Sequence, residues 1–240
     1  MSAVLYTAAG GVATLTLNRP ERRNALNLEM CEGIVEAARL AASDESMRIL
    51  FVRAKGRAFC AGADLKERQG MGVEQVRERR MKGFAAYAAL EALPMPSVAV
   101  VEGPAVGSGC EIAGACDFIV ATPAASFRTP EAIRGTVGAT QRLPRILGKR
   151  LAKDLMFTGR TLSAEEAREA GLVTRLVLQS DLEKTIEEIR TGILKAPQQS
   201  LRLAKRCIDT GVELDPKGAL EAEIAAIEEQ LAAGSWMGRT

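Results

Sequence analysis

Two glutamates stand where the neighbouring residues predict poor solvation. Glu111 follows the glycine-rich stretch VGSGC and precedes the small residues IAGAC, and Glu131 follows Thr129-Pro130 in FRTPEAIRG. Partial burial raises the pKa of a glutamate towards neutrality, which is the property that a general acid or base needs. The pair could therefore move protons or activate water. Taken singly, Glu111 could equally favour a helix dipole and Glu131 could be a solvated first-turn residue.

Histidine is absent from the sequence. Its absence excludes Ser-His-Asp and Cys-His catalysis and argues against a transition-metal site, so no metal ligands are predicted. Acid–base chemistry near neutral pH must then use carboxylates, lysine, tyrosine or cysteine.

Two glycine-rich turns precede Glu111 in the sequence, and the second one ends at this residue. They are AFCAGADLK (58–66) and VGSGCE (106–111), and each follows a short apolar segment that predicts a buried strand. Small residues let a ligand approach the backbone, and amides at a helix N-terminus are free to donate. Two such amides at one point would form an oxyanion hole for a carbonyl that gains charge. On spacing alone, a turn of this kind is more often a tight connection.

Composition restricts the class of protein. The chain has 240 residues, of which 47% are apolar and 26% charged, and its net charge is +2. This is typical of a globular protein with a sizeable core, and it gives no electrostatic reason to expect nucleic acid or an anionic membrane as partner. The sequence shows no membrane-length apolar run and no secretion signal. Five cysteines without a CxxC pair are typical of a reducing compartment, so we expect a cytoplasmic protein.

The first half of the chain alternates strands with helices. Polar and apolar residues alternate on both sides of Gly10-Gly11, which predicts a hairpin. Asn27 is the expected N-cap of a helix to about Ala42, whose apolar stripe comprises Leu28, Cys31, Ile34, Val35 and Ala38. A charged helix is expected over 73–93 and a short one over 111–116. The order strand, turn, helix favours stacked crossover units of an α/β fold.

The second half is predominantly helical. Ser163 and Glu166 form a capping-box pattern, Asp215-Pro216 predicts a helix start, and amphipathic helices are expected near 180–195, 198–210 and 216–232. We therefore expect a sheet-bearing core over 1–178 and a helical C-terminal extension over 179–240, within one structural unit.

Several ordered motifs resemble the crotonase family, the enoyl-CoA hydratases and isomerases. They are NRPERRNALN, AFCAGADLKE, PSVAVVEGPAVGSGCEIAGACDFIVAT, FRTPE, GATQRLPRILGK and AKDLMFTGRTLSAEEAREAGLV. The resemblance implies a spiral of ββα turns with a C-terminal helical trimerisation region, commonly assembled as a trimer or a dimer of trimers. It also implies an acyl-CoA thioester as ligand and no separate cofactor, since coenzyme A is part of the substrate.

The resemblance assigns roles to residues of this sequence. The amides of Ala63 and Ser108 would form the oxyanion hole, and Glu111 and Glu131 would be the catalytic residues. Further residues would line the CoA and substrate site, namely Arg23, Ala25, Ala61, Asp64, Leu65, Lys66 and Gly107.

Because both glutamates of the family's hydratases are matched, hydration of a trans-2-enoyl-CoA to a 3-hydroxyacyl-CoA is the favoured reaction. In that reaction Glu111 would activate water for attack at Cβ and Glu131 would deliver the proton to Cα. One alternative is an isomerase that converts a 3-enoyl-CoA to a 2-enoyl-CoA with Glu131 shuttling a proton. Another is a non-catalytic acyl-CoA-binding protein of the same fold.

Three features of the sequence depart from the family pattern, and a fourth is a resemblance to one branch of the family. The usual GGG is GSG at 107–109, the loop after Gly135 is about three residues shorter, and the end LAAGSWMGRT lacks the common acidic-glycine-aromatic tail. The segment 63–83 also resembles the methylglutaconyl-CoA hydratase branch. Its basic cluster, Arg77, Arg79, Arg80 and Lys82, is interpreted as a solvated helix face or as a contact for CoA phosphates.

Overall fold

A computed structural model describes residues 2–234 of the chain. Nine strands lie in the described part: β1 (Val4–Ala9), β2 (Val12–Leu17), β3 (Ile49–Ala54), β4 (Ser97–Val101), β5 (Pro104–Val106), β6 (Phe118–Ala121), β7 (Ser126–Arg128), β8 (Thr161–Ser163) and β9 (Arg175–Leu176). The same residues form eight α-helices: α1 (Leu28–Ser43), α2 (Val73–Glu91), α3 (Ser108–Gly114), α4 (Arg142–Thr158), α5 (Ala164–Glu169), α6 (Leu182–Lys195), α7 (Gln198–Gly211) and α8 (Pro216–Ala232).

The larger sheet has six strands in the order β1-β2-β3-β4-β6-β9. Strands β1 and β2 form the predicted antiparallel hairpin, and every later neighbour in this sheet is parallel. Parallel neighbours require crossover connections, and the chain supplies them through helices and loops. The predicted α/β fold of stacked crossover units is therefore confirmed.

The smaller sheet contains β5, β7 and β8. Strand β5 follows β4 after a two-residue step, β7 follows β6 after a short turn, and β5 pairs with β7 in parallel. Two successive turns of the chain thus each give one strand to the large sheet and one to the small sheet. Because parallel strands end at the same edge, the residues that follow β5 and β7 lie side by side.

The buried face of helix α1 differs from the predicted apolar stripe. Asn27 is its N-cap and accepts from the Met30 amide at 3.0 Å, as predicted. Ile34 is buried, but Val35 is 36% exposed, so its assignment to the core is wrong. The buried face instead includes Ala37 and Ala41. These lie three and seven residues after Ile34, whereas Val35 is turned about 100° away from that row.

The observed ends of α2 and α3 differ from the predicted ends, and α3 ends at Gly114, two residues before its predicted end. Helix α3 begins at Ser108 rather than at residue 111, because Gly107 (φ 51°, ψ −107°) is the last non-helical residue. Helix α2 ends at Glu91, two residues before the predicted end.

The C-terminal helices lie near the predicted positions. Ser163 and Glu166 form the capping box of α5, and Asp215 caps α8 by accepting from the Gly218 amide. The apolar face of α6, with Leu182 and Ile189, packs against the large sheet. No strand follows β9 within the described residues. Most of the expected departure in the tail lies in residues 235–240, outside the described part. Across residues 2–234, no helix combines the length and the apolar character needed to span a membrane.

Candidate active site

A cleft of about 610 Å3 opens beside α2, between the two glycine-rich turns and the loop that follows β7. Seven of the eleven residues assigned from the resemblance line it: Ala61, Ala63, Leu65, Gly107, Ser108, Glu111 and Glu131. The other four, Arg23, Ala25, Asp64 and Lys66, lie outside the lining.

The two glycine-rich turns touch through their backbones. The Val106 amide donates to the Cys60 carbonyl at 2.8 Å, and Cys60 forms an isolated parallel bridge with Ala105. A Cβ on Gly109 would overlap the Cys60 carbonyl oxygen. Glycine at this position therefore permits the close approach that places Ala63 and Ser108 on the same cleft.

Two backbone amides on this cleft lack acceptors. Within residues 2–234, neither the Ala63 amide nor the Ser108 amide donates to another protein group. Ser108 is the first residue of α3, so its amide has no partner inside the helix. Beside Ala63, the Gly62 carbonyl and the Asp64 amide are both bonded to Leu26, at 2.8 and 2.9 Å. The cleft thus offers two donors to a ligand oxygen.

The pairing of β5 with β7 brings the two glutamates to one cleft. Val106 is in register with Arg128, and the Gly107 amide donates to the Arg128 carbonyl at 2.8 Å. Glu111 lies in the first turn of α3 after one strand, and Glu131 lies three residues after the other.

Glu111 is held by a guanidinium. Its side chain is buried, and its Oε2 accepts from Arg142 Nη1 at 2.7 Å. Arg142 Nη2 donates to Glu91 at 2.6 Å, and the guanidinium lies 5.8 Å from the centroid of the Tyr87 ring. Burial lowers the pKa of Arg142, but the hydrogen bonds to Glu91 and Glu111 outweigh it and raise the pKa. This guanidinium therefore stays charged.

Sequence reasoning missed Arg142, Glu91 and Tyr87. Tyr87 and Glu91 are four residues apart on a predicted helix, which is the one signal that they share a face. Their partner Arg142 comes 51 residues after Glu91, and no local pattern indicates that contact.

Glu131 has a different environment. It is partly buried between Gly107 and Gly138, and its Oε2 is enclosed with no hydrogen-bond partner among the described residues. Burial is the main cause that raises the pKa of Glu131, and the nearby charge of Glu111 adds to it. A hydrogen bond from the Glu131 backbone amide opposes the shift most, and the charges of Arg134 and Arg80 oppose it further, without cancelling it. The sequence-based expectation of a half-buried carboxylate with a raised pKa therefore describes Glu131.

The serine that replaces the middle glycine has a polar neighbour. Its side chain lies beside the buried Tyr87 hydroxyl. Burial raises the pKa of Tyr87, so this phenol stays neutral. The Ser108 hydroxyl thus faces a neutral wall of the cleft.

Four assigned residues lie outside the lining of the cleft. They either form hydrogen bonds that hold the glycine-rich turn 58–66 or lie on the surface. Asp64 accepts from Arg19 Nη1 and from the Lys66 amide, each at 3.0 Å. Burial alone would raise the pKa of Asp64, but these hydrogen bonds lower it. The carbonyls of Arg23 and Ala25 accept from Ala61 and Arg19 respectively. The Arg23 and Lys66 residues are exposed.

The basic cluster on α2 does not form a uniform face. Arg77 and Lys82 are exposed and lie 2.9 and 3.6 Å from Glu74 and Glu32, as a solvated face requires. For Arg79 that interpretation is wrong. It is 3% exposed and donates to Glu67 at 2.7 Å and to the Leu26 carbonyl, because its position on α2 faces the first turn and the start of α1.

The described part of the chain shows neither a metal-ligand cluster nor a disulfide bond. Residues 2–234 contain no cluster of three or more histidine, cysteine or acidic side chains that could hold a metal ion. All five cysteines are unpaired, and four of them are buried.

Comparisons with known proteins identify the family. The sequence model described as enoyl-CoA hydratase/isomerase matches residues 7–236. A crotonyl-CoA hydratase of Syntrophomonas wolfei is 35% identical, over 90% of this chain and 84% of its own length. The crystal structure of an enoyl-CoA hydratase from Bacillus anthracis superposes with a TM-score of 0.90 at 36% identity, covering 94% of this chain and 90% of the other.

A further solved structure, from Thermobifida fusca, contains acetoacetyl-CoA. It superposes with a TM-score of 0.88 at 25% identity, covering 97% of this chain and 96% of the other. The match of the family model over nearly the whole chain, together with these similarities, shows that the protein belongs to the enoyl-CoA hydratase/isomerase family, the crotonase family.

Proposed function

We propose that this protein hydrates a trans-2-enoyl-CoA to the 3-hydroxyacyl-CoA. The observation that carries the proposal is the meeting, in one cleft, of two backbone amides without acceptors and two carboxylates in unlike environments. One carboxylate is bound to a guanidinium and the other has a raised pKa. Addition of water across an activated double bond needs a base for the water and an acid for the carbon.

The amides of Ala63 and Ser108 are assigned to the thioester oxygen. As negative charge develops there, each donor of this kind removes about 3 kcal/mol from the barrier. Polarisation of the thioester draws electron density from Cβ and prepares that atom for attack.

The glutamates divide the proton transfers. Glu111, paired with Arg142, accepts a proton from a water molecule while the water oxygen bonds to Cβ. Glu131 supplies the proton that converts the resulting enolate to product at Cα, since its raised pKa favours the protonated acid. Transfer of the proton from Glu111 to Glu131, through solvent, restores both side chains, and a water molecule from bulk solvent replaces the one that was consumed.

The relatives support the same ligand class. The Syntrophomonas wolfei relative is named for hydration of crotonyl-CoA, and the Thermobifida fusca protein was crystallised with acetoacetyl-CoA. No cofactor beyond the substrate's own CoA enters the proposed reaction.

Trimeric or hexameric assembly and a cytoplasmic location stay predictions. Large exposed apolar side chains on α7 and α8, such as Ile208 and Leu220, are surfaces that a trimer would cover.

Isomerisation of a 3-enoyl-CoA is the second candidate. It is favoured by the single observation that Glu131 Oε2 has no hydrogen-bond partner within the described residues whereas Glu111 is bound to Arg142. In that reaction the ionised Glu131 would remove a proton from Cα and return the same proton to Cγ, so one carboxylate would suffice.

The test uses the ultraviolet absorbance of the conjugated enoyl thioester. With crotonyl-CoA as substrate, hydration removes the band. With 3-butenoyl-CoA, isomerisation creates it. We expect purified protein to remove the band from crotonyl-CoA faster than it creates the band from 3-butenoyl-CoA. Turnover of 3-butenoyl-CoA alone would favour the isomerase, and binding of both thioesters without turnover would favour the non-catalytic protein.

A further inference from the structure

We infer that Arg142 is a positioning residue for hydration, which fixes the orientation of the Glu111 carboxylate beside the cleft, where Glu111 acts on the attacking water. The inference rests on the proposed function and adds a residue to it. Arg142 stands in the motif GATQRLPRILGK, but the resemblance assigns it no role in the site.

Three helices converge on this guanidinium. Arg142 is the first residue of α4, Glu91 is the last residue of α2, and Glu111 lies in the first turn of α3. The two Nη atoms donate separately, to Glu111 at 2.7 Å and to Glu91 at 2.6 Å. One planar side chain therefore links two carboxylates that stand on different helices.

Burial makes this link specific. The side chain of Glu111 is 8% exposed and that of Arg142 is 17% exposed, whereas that of Glu91 is 56% exposed. The Arg142–Glu111 contact is thus the one that is shielded from solvent. Loss of the cation would leave a buried carboxylate unpaired. Tyr87 packs against the same group, because the guanidinium lies over its ring, 5.8 Å from the centroid.

The consequence for the site concerns orientation. Arg142 donates to Oε2 of Glu111, so a charge-assisted hydrogen bond fixes the direction of this carboxylate relative to the cleft. Glu131 Oε2 has no such partner in the described part of the chain. Arg142 therefore orients one of the two carboxylates and not the other.

Lysine cannot reproduce the arrangement fully, since its point charge does not supply the planar fork that reaches two carboxylates at once. This difference gives a graded set of variants. Arg142→Met removes the charge and keeps the aliphatic stem, Arg142→Lys keeps the charge alone, and Arg145→Met is the matched control. Arg145 lies one helical turn further along α4, is exposed, and contacts Glu213 at 3.2 Å outside the cleft.

The experiment measures kcat and KM for crotonyl-CoA hydration in these variants and in a double-mutant cycle with Glu111→Gln. We expect Arg142→Met to lower kcat about 100-fold with KM changed by less than about threefold, since the base is displaced while thioester binding is retained. Arg142→Lys should lose about tenfold, and Arg145→Met should match the wild type. In the Glu111→Gln background, Arg142→Met should have almost no further effect on kcat.

Two outcomes would overturn the inference alone while the proposed function stands. One is an active wild type whose kcat is unchanged by Arg142→Met, and the other is an equal loss with and without Glu111. A wild type that does not hydrate crotonyl-CoA would overturn the proposed function and the inference together. If Arg142→Met does not fold, as judged by circular dichroism and acetoacetyl-CoA binding, Arg142→Lys is taken through the same cycle with the same criteria.

Discussion

The two glutamates of the cleft are the same residue type, twenty positions apart, and the fold treats them in opposite ways. Glu111 stands on a helix and is bound to Arg142 at 2.7 Å. Glu131 stands in an irregular loop between two glycines, with Oε2 enclosed and no partner among the described residues. The difference teaches that burial alone does not define a catalytic acid. The two carboxylates also differ in their hydrogen-bond partners, since only Glu111 is bound to a guanidinium.

The loop that carries Glu131 is fixed by its backbone rather than by its side chain. The Glu131 carbonyl accepts from the amides of Arg134 and Thr136, at 3.1 and 2.9 Å. The carboxyl group is therefore positioned by its backbone, while its Oε2 has no hydrogen-bond partner among the described residues. A firm backbone and one carboxyl oxygen without a partner are compatible with repeated proton transfer.

Removal of the proposed acid should have the largest effect. Glu131→Gln is expected to lower kcat for crotonyl-CoA hydration by about 10²- to 10⁴-fold, the usual contribution of a general acid, with a modest change in KM. In the wild type, kcat/KM should fall as pH rises through the raised pKa of Glu131, because the acid is then lost. Steady-state kinetics against pH measure both effects. Glu74→Gln, an exposed position on α2, serves as control. An unchanged kcat in Glu131→Gln would exclude Glu131 as the acid.

A methyl group beside Glu131 should have a smaller effect on the same step. Gly107→Ala places a Cβ in overlap with Glu131 Oε1, so the carboxyl group has to move, and we expect kcat to fall about 10- to 100-fold. Gly171→Ala is the matched control, because Gly171 also has a positive φ but its Cβ would meet nothing within 4 Å. Similar activity losses in the two variants would attribute the effect to backbone strain rather than to the displaced acid.

The smallest expected effect is on stability. A carboxyl group whose pKa is raised in the folded state binds protons more tightly there than in the unfolded chain, so it stabilises the fold at low pH and loses this contribution as pH rises through the folded value. Glu131→Gln removes that dependence. The free energy of unfolding of the variant relative to wild type should therefore increase between about pH 4.5 and about pH 7.5, measured by urea titration. A relative free energy that falls over this range would contradict the raised pKa.

Part of the site follows from local sequence. Small residues in 58–66 and 106–111 predict turns that admit a ligand, and both turns line the same cleft. The residues alone do not predict strand β7, and only the resemblance associates Glu131 with these turns. In the structure Glu131 reaches the cleft because β7 pairs with β5 and parallel strands end at one edge.

The contacts that distinguish the two acids do not follow from local sequence. Arg142 reaches Glu111 across 31 positions, and the choice between a buried and an exposed arginine depends on which helix lies opposite. The same reason explains Arg79, which stands in a basic run yet is buried against the first turn. Charge pattern predicts that a helix is polar, but tertiary packing decides which of its charges leave water.

The most direct test of the account compares binding with turnover in the double variant Glu111→Gln/Glu131→Gln. Acetoacetyl-CoA affinity, measured by calorimetry, should stay within about tenfold of wild type because the oxyanion amides of Ala63 and Ser108 are intact. Hydration of crotonyl-CoA should fall by at least about 10⁴-fold, close to the loss in the more severe single variant, because the two acids act in one reaction. Hydration that persists near the wild-type rate in this variant would contradict the claim that these two carboxylates carry the chemistry.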